Sequence, residues 1–485
     1  MKKMLAAILL LAAFKAAPGV EFTGTERAYL WDAQPGQALS YKNILDLHLA
    51  GSLKSGWELE TGVRLLFDQE SWQDTVLYGG LSRKFLSVKN ENMNLTAGNF
   101  YSTLGRGLSL SCVADEKVKI DRDIEGLQVR SSWGDWLEAK ALAGRIRENL
   151  NWIDSARSYA GTEIKLMPLN SLALGGIYLR ANAGKKTSDP SFGKAAEEDY
   201  GGHLSWAWAP ADLYAEYLAR RTYGTYDATW GWIGTEDVNG HALYAAGSLN
   251  LSGLSLALDL KNYRDFDNQL NAPPACNREG RLLNAGYDEQ GGQLEITATP
   301  WEGLELAANY SQARSSRLSQ KWRDAYFEGR WKAGEDLDLS LELADRREEK
   351  LQPDIKQKFY QGGKAGGVWR YDGRRSLALK AGADLYDNYY FSSGLKYTEY
   401  SLDLSWNVGQ DIQIYGSGSL ASQKVPEYQD QDRWGEAGVS YQWDQGRQKL
   451  TASAGQSKGG LVCSGGFCRY EPSFRGMKAS YQLSF

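Results

Sequence analysis

The chain has 485 residues, a formal net charge of −5 and a negative mean hydropathy. After the first residues it has no apolar run long enough for a membrane-spanning helix, which argues against a helical membrane protein. The small net charge argues against a nucleic-acid partner.

Residues 1–19 have the pattern of a secretory signal peptide. Lys2 and Lys3 form a basic start, Met4 to Phe14 form a short apolar core, and small residues follow. We expect this segment to be cleaved, which would leave a mature chain of residues 20–485 in an oxidising compartment.

From about residue 20 onward, stretches of about ten residues alternate apolar and polar side chains, which is the pattern of β-strands. The clearest stretch runs from Asp336 to Leu343, where Leu337, Leu339 and Leu341 share one face. A soluble sandwich and a membrane barrel both produce this pattern, so single strands do not separate the two folds.

The connections between these stretches alternate between short turns and long polar loops. Asn90-Glu91-Asn92 and Ala333-Gly334 are short turns, and the long loops are 183–197, 223–238, 265–286, 315–321 and 458–472. Such alternation is typical of outer-membrane barrels, which have tight periplasmic turns and longer outer loops.

Tryptophans cluster beside the short turns, as in the aromatic girdle at a membrane interface. They are Trp57, Trp133, Trp136, Trp206, Trp208, Trp301, Trp331, Trp406 and Trp443.

The chain ends inside an alternating stretch, in which Met477, Ala479, Tyr481, Leu483 and Phe485 share one face. A terminal strand that ends in an aromatic residue resembles the signal read by the barrel-assembly machinery. We therefore assign Tyr481 and Phe485 to an assembly signal.

These patterns predict an all-β fold, a single antiparallel transmembrane β-barrel of about 24 strands, with 22–26 compatible. We expect the first strand at Val20–Trp31, the last at Ser473–Phe485, and no plug domain. Both chain ends would then lie on the periplasmic side of a Gram-negative outer membrane, and lipid and the assembly machinery would be partners.

The segment from Gly98 to Gly126 is the strongest candidate for a functional loop. Its glycines, including Gly105 and Gly107, permit tight turns, and it is rich in charge of both signs. We expect residues 101–122 to fold inward as a pore constriction. The predicted constriction residues are Arg106, Asp115, Glu116, Lys117, Lys119, Asp121, Arg122 and Asp123. An ordinary solvated outer loop is the alternative.

The elements Gly98-Asn99-Phe100-Tyr101 and Gly105-Arg106-Gly107-Leu108, with the acidic segment after them, resemble an uncharacterised family of Gram-negative outer-membrane, porin-like barrels. The resemblance covers roughly residues 93–130 and the segment from Cys463 to Pro472. It implies the barrel fold but no particular function.

The four cysteines fall in or beside predicted loops. Cys463 and Cys468 are close in sequence with two glycines between them, and we expect a local disulfide. Cys112 and Cys276 pair across loops or stay reduced. We expect no metal and no cofactor, because no histidine lies nearby and the chain has no haem-attachment motif.

An enzyme is not expected. His48, His203 and His241 lie within predicted strands without metal-ligand spacing, and no nucleophile or phosphate-loop motif occurs. Charged side chains such as Glu138 and Glu216 are ordinary for the lining of a lumen. A barrel enzyme remains a minor alternative.

A barrel of this size encloses more space than its own side chains fill. The favoured hypothesis is a porin-like channel for polar solutes. The alternative is a scaffold or sheath around a partner protein, such as a periplasmic or multihaem electron carrier. A third reading is a soluble exported all-β binding protein.

Overall fold

The computed structural model describes most of the chain. The described residues are 20–31, 40–53, 56–69, 78–115, 118, 120–148, 151–152, 158–182, 196–223, 226–227, 231–232, 238–266, 270–283, 287–315, 317, 319–352, 355–390, 394–426, 430–464, 467–471 and 473–485. The predicted signal peptide, residues 1–19, lies outside them. Among the described residues, no helix is long and apolar enough to cross a membrane.

Twenty-four long strands form one closed antiparallel barrel. They are β1 (Val20–Trp31), β2 (Ser40–Ser52), β3 (Glu58–Gln69), β4 (Tyr78–Lys89), β5 (Met93–Phe100), β6 (Ile120–Trp133), β7 (Leu137–Glu148), β8 (Tyr159–Leu169), β9 (Leu172–Ala181), β10 (Ala196–Trp208), β11 (Ala211–Tyr223), β12 (Val238–Leu251), β13 (Leu254–Arg264), β14 (Asp288–Trp301), β15 (Leu304–Ser315), β16 (Gln320–Lys332), β17 (Leu337–Gln352), β18 (Ile355–Asp372), β19 (Arg375–Tyr390), β20 (Gly394–Val408), β21 (Ile412–Val425), β22 (Gln431–Trp443), β23 (Gln448–Ser457) and β24 (Phe474–Ser484).

Short strands lie in the connections between the barrel strands. They are Ser102–Leu104, Leu110–Cys112, Ala114–Asp115, Asn151–Trp152, Tyr226–Asp227, Gly231–Trp232, Gly460–Ser464 and Phe467–Glu471.

Each barrel strand pairs with its neighbours in sequence, and β1 pairs with β24 to close the ring. The closing register runs from Thr25 opposite Ser484 to Trp31 opposite Lys478. Gly24 and Phe485 extend it, because each backbone N–H donates to the other carbonyl, at 2.8 and 3.0 Å. The predicted fold class and strand number are therefore confirmed.

The barrel has two different ends. One carries the short turns and both ends of the barrel sequence, and we name it the turn end; the other is the loop end. Loop-end connections are long between β9 and β10 but only two residues long, 353–354, between β17 and β18. The predicted alternation of connection length therefore weakens in the second half of the chain. There β17 and β18 are 16 and 18 residues long, so residues that would otherwise form a loop extend the two strands.

The outward face of the barrel is apolar. On β17, Leu339, Leu341 and Leu343 are 37%, 44% and 48% exposed, which agrees with the predicted alternation. At the turn end, a row of tryptophans is between 41% and 64% exposed. These are Trp133, Trp136, Trp206, Trp208, Trp301, Trp331, Trp369 and Trp406. An apolar belt edged by tryptophan suits a lipid bilayer.

Candidate functional site

The segment between β5 and β6 turns into the barrel. Its short strands Ser102–Leu104 and Leu110–Cys112 pair as a hairpin, and the turn has positive φ at Gly105 (53°) and Gly107 (86°). The backbone N–H of Arg106 donates to Oε2 of Glu216 at 2.7 Å. Glu216 lies on β11, and its side chain points to the face opposite the outward side chains of Leu213 and Tyr217. It is fully buried. The hairpin tip thus reaches the lumenal wall about halfway along a strand.

An apolar core forms inside the barrel around this hairpin. Leu104, Leu108 and Leu110 are 0% exposed and belong to one cluster with inward side chains of β6 to β13. Ile146 of β7 and Leu218 of β11 are members, also at 0%. Side chains that line a wet lumen are usually polar, so this part of the wall is adapted to a packed loop.

The connection between β13 and β14 supplies the other half of this filling. Ser111 N–H donates to the Leu270 carbonyl at 2.7 Å, and Ala272 N–H donates to the Gly107 carbonyl at 3.1 Å. The Asn271 side chain donates to the Leu108 carbonyl at 3.0 Å. We name residues 101–113 and 270–283 together the two-loop plug.

Buried ion pairs hold the second loop to the wall. Lys261 and Glu289 are both 0% exposed and form an ion pair. Lys261 also donates to the Ala275 carbonyl, and Glu289 accepts from the Leu283 N–H at 2.9 Å. Ala275 and Leu283 of the loop are therefore each bonded to one member of a buried pair whose charges neutralise each other.

Further along, the same loop meets β16 and β17 through a charged network. Arg278 pairs with the fully buried Asp324 at 2.9 Å, and Arg346 pairs with Glu279 at 2.6 Å. Arg281 lies 3.3 Å from Glu348. The loop and the wall each contribute both arginines and carboxylates to this network. The contact therefore combines charge pairing with the directional hydrogen bonds of arginine.

Polar groups surround the tip of the hairpin on its turn-end side. Tyr214 donates to Oε2 of Glu216 at 2.6 Å, and the Arg106 guanidinium lies over the Tyr214 ring, 4.7 Å from its centroid. Glu216 Oε1 is buried with no hydrogen-bond partner among the described residues. A Cβ at position 105 would collide with this carboxylate, so the close approach requires Gly105.

A second polar group lies beside the first. His203 Nε2 lies 3.1 Å from Glu163 Oε1, and Lys140 Nζ donates to Glu163 at 2.9 Å and to the Thr103 carbonyl at 2.7 Å. The His203 ring stacks on Tyr214 with centroids 5.7 Å apart. Lys140 therefore links the wall carboxylate to the backbone of the hairpin.

Beside the plug, a cavity of about 750 Å³ lies along the inner face of β1 to β5. It extends from Arg447 and Phe485 at the turn end to Tyr101, where the hairpin begins. Arg64 of β3 reaches Asp121 of β6 at 2.8 Å, past two intervening strands. The two side chains can meet only inside the curved wall of the barrel, so the cavity lies in the lumen.

Charges of both signs line this cavity. Arg64 binds Asp46 at 2.6 Å, Arg83 binds Asp123 at 3.1 Å, and His48 lies 3.9 Å from Glu60. Tyr101 donates to Asp121 at 2.7 Å, and burial raises the pKa of its phenol above the ordinary value. The lining side chains can form hydrogen bonds with polar solutes. Because most of the lining charges are paired with opposite charges, the cavity does not strongly favour solutes of one charge.

The structure divides the predicted constriction residues into three groups. Arg106 lies at the hairpin tip, exposed to the lumen over Tyr214. Asp121, Arg122 and Asp123 lie in the barrel wall, within β6. Asp115 ends a two-residue strand that pairs with β6, and Glu116, Lys117 and Lys119 lie outside the described residues.

The cysteines also separate into two kinds. Cys112 and Cys276 are buried thiols in the plug core, and burial raises the pKa of Cys276 to about 12. The strands Gly460–Ser464 and Phe467–Glu471 place Cys463 opposite Cys468. The side chains of this pair lie outside the described residues, so their disulfide stays a prediction.

Sequence reasoning missed the leucines of the hairpin and the entire second loop. The segment that contains Leu104, Leu108 and Leu110 was interpreted from its charges alone. The spacing of these leucines, four and then two residues, could have indicated that the segment packs against an apolar surface. Residues 270–276 read Leu-Asn-Ala-Pro-Pro-Ala-Cys, which is too apolar for a solvated loop.

A closed barrel with an apolar outer belt and a lumen partly filled by its own loops has the features of a membrane-spanning β-barrel. The chain belongs to the family of unknown function DUF6029, whose model matches residues 51–285 and 288–485. No curated protein matches the chain.

Solved structures similar to this chain include OccK5 (OpdH) of Pseudomonas aeruginosa, with 14% identity over 72% of this chain and 99% of that chain, at a TM-score of 0.43. A BenF-like porin from Pseudomonas fluorescens Pf-5 has 12% identity over 68% and 93%, at 0.42. The copper transporter OprC has 12% identity over 96% and 80%, at 0.47. Sequence identities this low do not show which solute, if any, this chain carries.

Proposed function

We propose that this chain is an outer-membrane, porin-like channel for small polar solutes, narrowed by its own two-loop plug. The observation that carries the proposal is a packed filling against one part of the lumenal wall with a charged cavity beside it. The plug packs against the wall from β6 to β13, whereas the cavity follows β1 to β5.

The cavity lining supports a polar solute. Asp46, Glu60, Arg64 and Arg83 lie on it together with several side-chain amides and hydroxyls. Ionised groups of both signs replace hydration without excluding either charge. The proposed route therefore runs beside the plug and not through it, with Tyr101 at its inner border.

The sheath alternative is less favoured. A partner inside the barrel would need the space that Leu104, Leu108 and Leu110 occupy at 0% exposure. Unpacking them would cost about 2–5 kcal/mol for each large side chain by analogy with core truncations. We propose no catalytic role and no cofactor.

Liposome swelling tests the proposal. Purified protein in liposomes is mixed with an isotonic neutral sugar, an amino acid or a large polysaccharide. Swelling with the small polar solutes but not with the polysaccharide is the expected result. Absence of swelling with every small solute, from protein that keeps heat-modifiable gel migration, would count against a channel.

A further inference from the structure

The barrel wall has a break in its backbone pairing where β5 ends. β5 is eight residues long and pairs with β4 only from Phe85 to Lys89. Among the described residues, the loop-end half of β4, residues 78–84, therefore pairs only with β3. Gly98 has a φ of 104°, and a Cβ there would collide with the Lys84 carbonyl. The chain can therefore bend out of the wall at this position because it has a glycine there.

Side chains replace the backbone bonds that are missing at the break. The Lys84 N–H donates to Oδ1 of Asn99 at 3.0 Å, and Arg147 of β7 donates to the Ser82 carbonyl at 2.9 Å. Backbone groups left unsatisfied in a bilayer are costly, so these two bonds allow β4 to lose its neighbour within the wall. We name the contact between residues 82–84 of β4 and residues 121–125 of β6 the seam.

Ion pairs close the seam. Asp123 shares the outward register of β6 with Glu125, yet it is only 4% exposed. Arg83 binds Asp123 at 3.1 Å and Arg147 binds it at 3.0 Å, while Lys84 pairs with Glu125 at 3.1 Å. Opening the seam would therefore break contacts between side chains and leave the backbone ladders intact.

The cavity reaches the seam from the lumen. Arg83, Asn99 and Tyr101 line the cavity, whereas Leu81 and Leu86 of β4 are 48% and 46% exposed on the outer face. Asn99 follows the first residue of β5 by six positions, which places the seam roughly 16 Å above the turn end at 3.4 Å per residue and a tilt of 40°. The apolar band of such barrels is about 25 Å tall. A thin layer of side chains thus separates the cavity from the acyl chains of the bilayer.

Arg83 is the side chain best placed to bind a solute at the seam. It binds Asp123 through Nε, and its guanidinium lies over the Tyr101 ring, 4.0 Å from the centroid. Its two terminal nitrogens have no hydrogen-bond partner among the described residues. Such a pair of nitrogens can bind a carboxylate through two parallel hydrogen bonds. Phe85 and Phe100 line the same cavity and provide apolar surface beside this position.

We propose that a single-chain amphipathic carboxylate, of the class of medium-chain fatty acids, binds at Arg83 and passes between the cavity and the bilayer through the seam. Its carboxylate binds the terminal nitrogens of Arg83, and its chain lies between β4 and β6 toward the outward leucines. An alcohol of the same length lacks the charge and acetate lacks the chain, so neither satisfies both parts of the site. The proposal rests on the cavity of the proposed channel, but the test measures binding without conduction, so the two can fail separately.

The test uses the full-length barrel in phosphatidylcholine nanodiscs and decanoate that carries a photoreactive diazirine at the end of its chain. Mass spectrometry maps the labelled residues. We expect label on Leu81, Leu86 and Leu127, and we expect excess decanoate to remove it where decanol and acetate do not. Label confined to the lumen, on Phe85 or Phe100, would overturn the route through the seam. Equal competition by decanol would overturn the carboxylate site.

Arg83→Gln is compared with Arg130→Gln, which removes the same charge from the lumenal face of β6 outside the cavity. The decanoate concentration that halves the labelling should rise at least about tenfold in Arg83→Gln, because its hydrogen bonds to a charged group are lost, and should change by less than about twofold in Arg130→Gln. An equal change in both variants would contradict the assignment to Arg83. The competition experiment on the wild type does not depend on whether either variant folds.

Discussion

The backbone N–H of Arg106 and the carboxylate of Glu216 meet at 2.7 Å at the lumenal wall, although the two residues are 110 positions apart in sequence. This contact joins the tip of an inward hairpin to the wall of β11. It connects the fold to the proposed function, because a narrowed lumen requires the hairpin to stay docked.

Removing this carboxylate should loosen the plug. In Glu216→Ala, the Arg106 N–H and the Tyr214 hydroxyl lose their acceptor, at about 1–3 kcal/mol for each buried donor left unsatisfied. We expect larger and noisier single-channel conductance. Glu138→Gln is the matched control, since Glu138 pairs with Lys165 near the turn end and does not contact the plug.

Gly105→Ala probes the same contact from the hairpin side. The new methyl group collides with Glu216 and occupies a positive φ, so it should raise conductance in the wild type. In the Glu216→Ala background its effect should shrink, because the steric partner is gone. Fully additive effects would indicate that the two residues do not meet.

The Lys261–Glu289 pair should behave as a coupled unit. Both side chains are fully buried, so Lys261→Met alone should destabilise the barrel by about 3–5 kcal/mol by leaving a buried charge. The double variant Lys261→Met/Glu289→Leu should recover most of that loss. The temperature of the shift in heat-modifiable gel migration measures both, and a double variant no better than the single one would contradict this account.

Reversing the charge of Arg106 should change ion selectivity. The guanidinium lies exposed in the lumen over Tyr214, so Arg106→Glu should shift the cation-to-anion permeability ratio upward by at least about twofold. Reversal potentials in a salt gradient measure the ratio. Arg433→Glu, on the outward face, is the control and should leave it unchanged.

The plug cysteines should resist alkylation in the folded barrel. Burial raises the pKa of Cys276 from its ordinary 9.0 to about 12, so the reactive thiolate is scarce at neutral pH. Raising the pH from 7 to 9 should leave Cys276 unlabelled, whereas a thiol in the unfolded chain reacts. Above about pH 9 the unfolded chain ionises first, so the barrel loses stability there. Rapid labelling of folded protein at pH 8 would show an open plug.

The wall of the barrel was largely predictable from the sequence, because each strand repeats the same alternation. Val20–Trp31 matches the predicted first strand, and Phe474–Ser484 lies within the predicted last one. Phe485 ends the chain on the outward face, 5.8 Å from the Phe22 ring. Its role as an assembly signal, with Tyr481, stays a prediction.

The lumen was harder to predict, since it depends on contacts between residues far apart in sequence. Gly105 and Gly107 indicated a turn, but nothing local pairs Leu108 with Asn271. Asp121 and Asp123 were assigned to the loop because they belong to a run of charges of both signs that begins at Asp115. In the structure, Arg64 and Arg83 neutralise them inside the wall.

Single-channel recording in planar bilayers tests the central claim most directly. The comparison is between the wild type and a variant whose residues 102–112 are replaced by a short Gly-Ser linker, each checked for folding. A narrow conducting pore in the wild type and a several-fold larger conductance in the variant is the predicted result. No conductance from either folded protein, or equal conductance from both, would contradict a channel narrowed by its own loops.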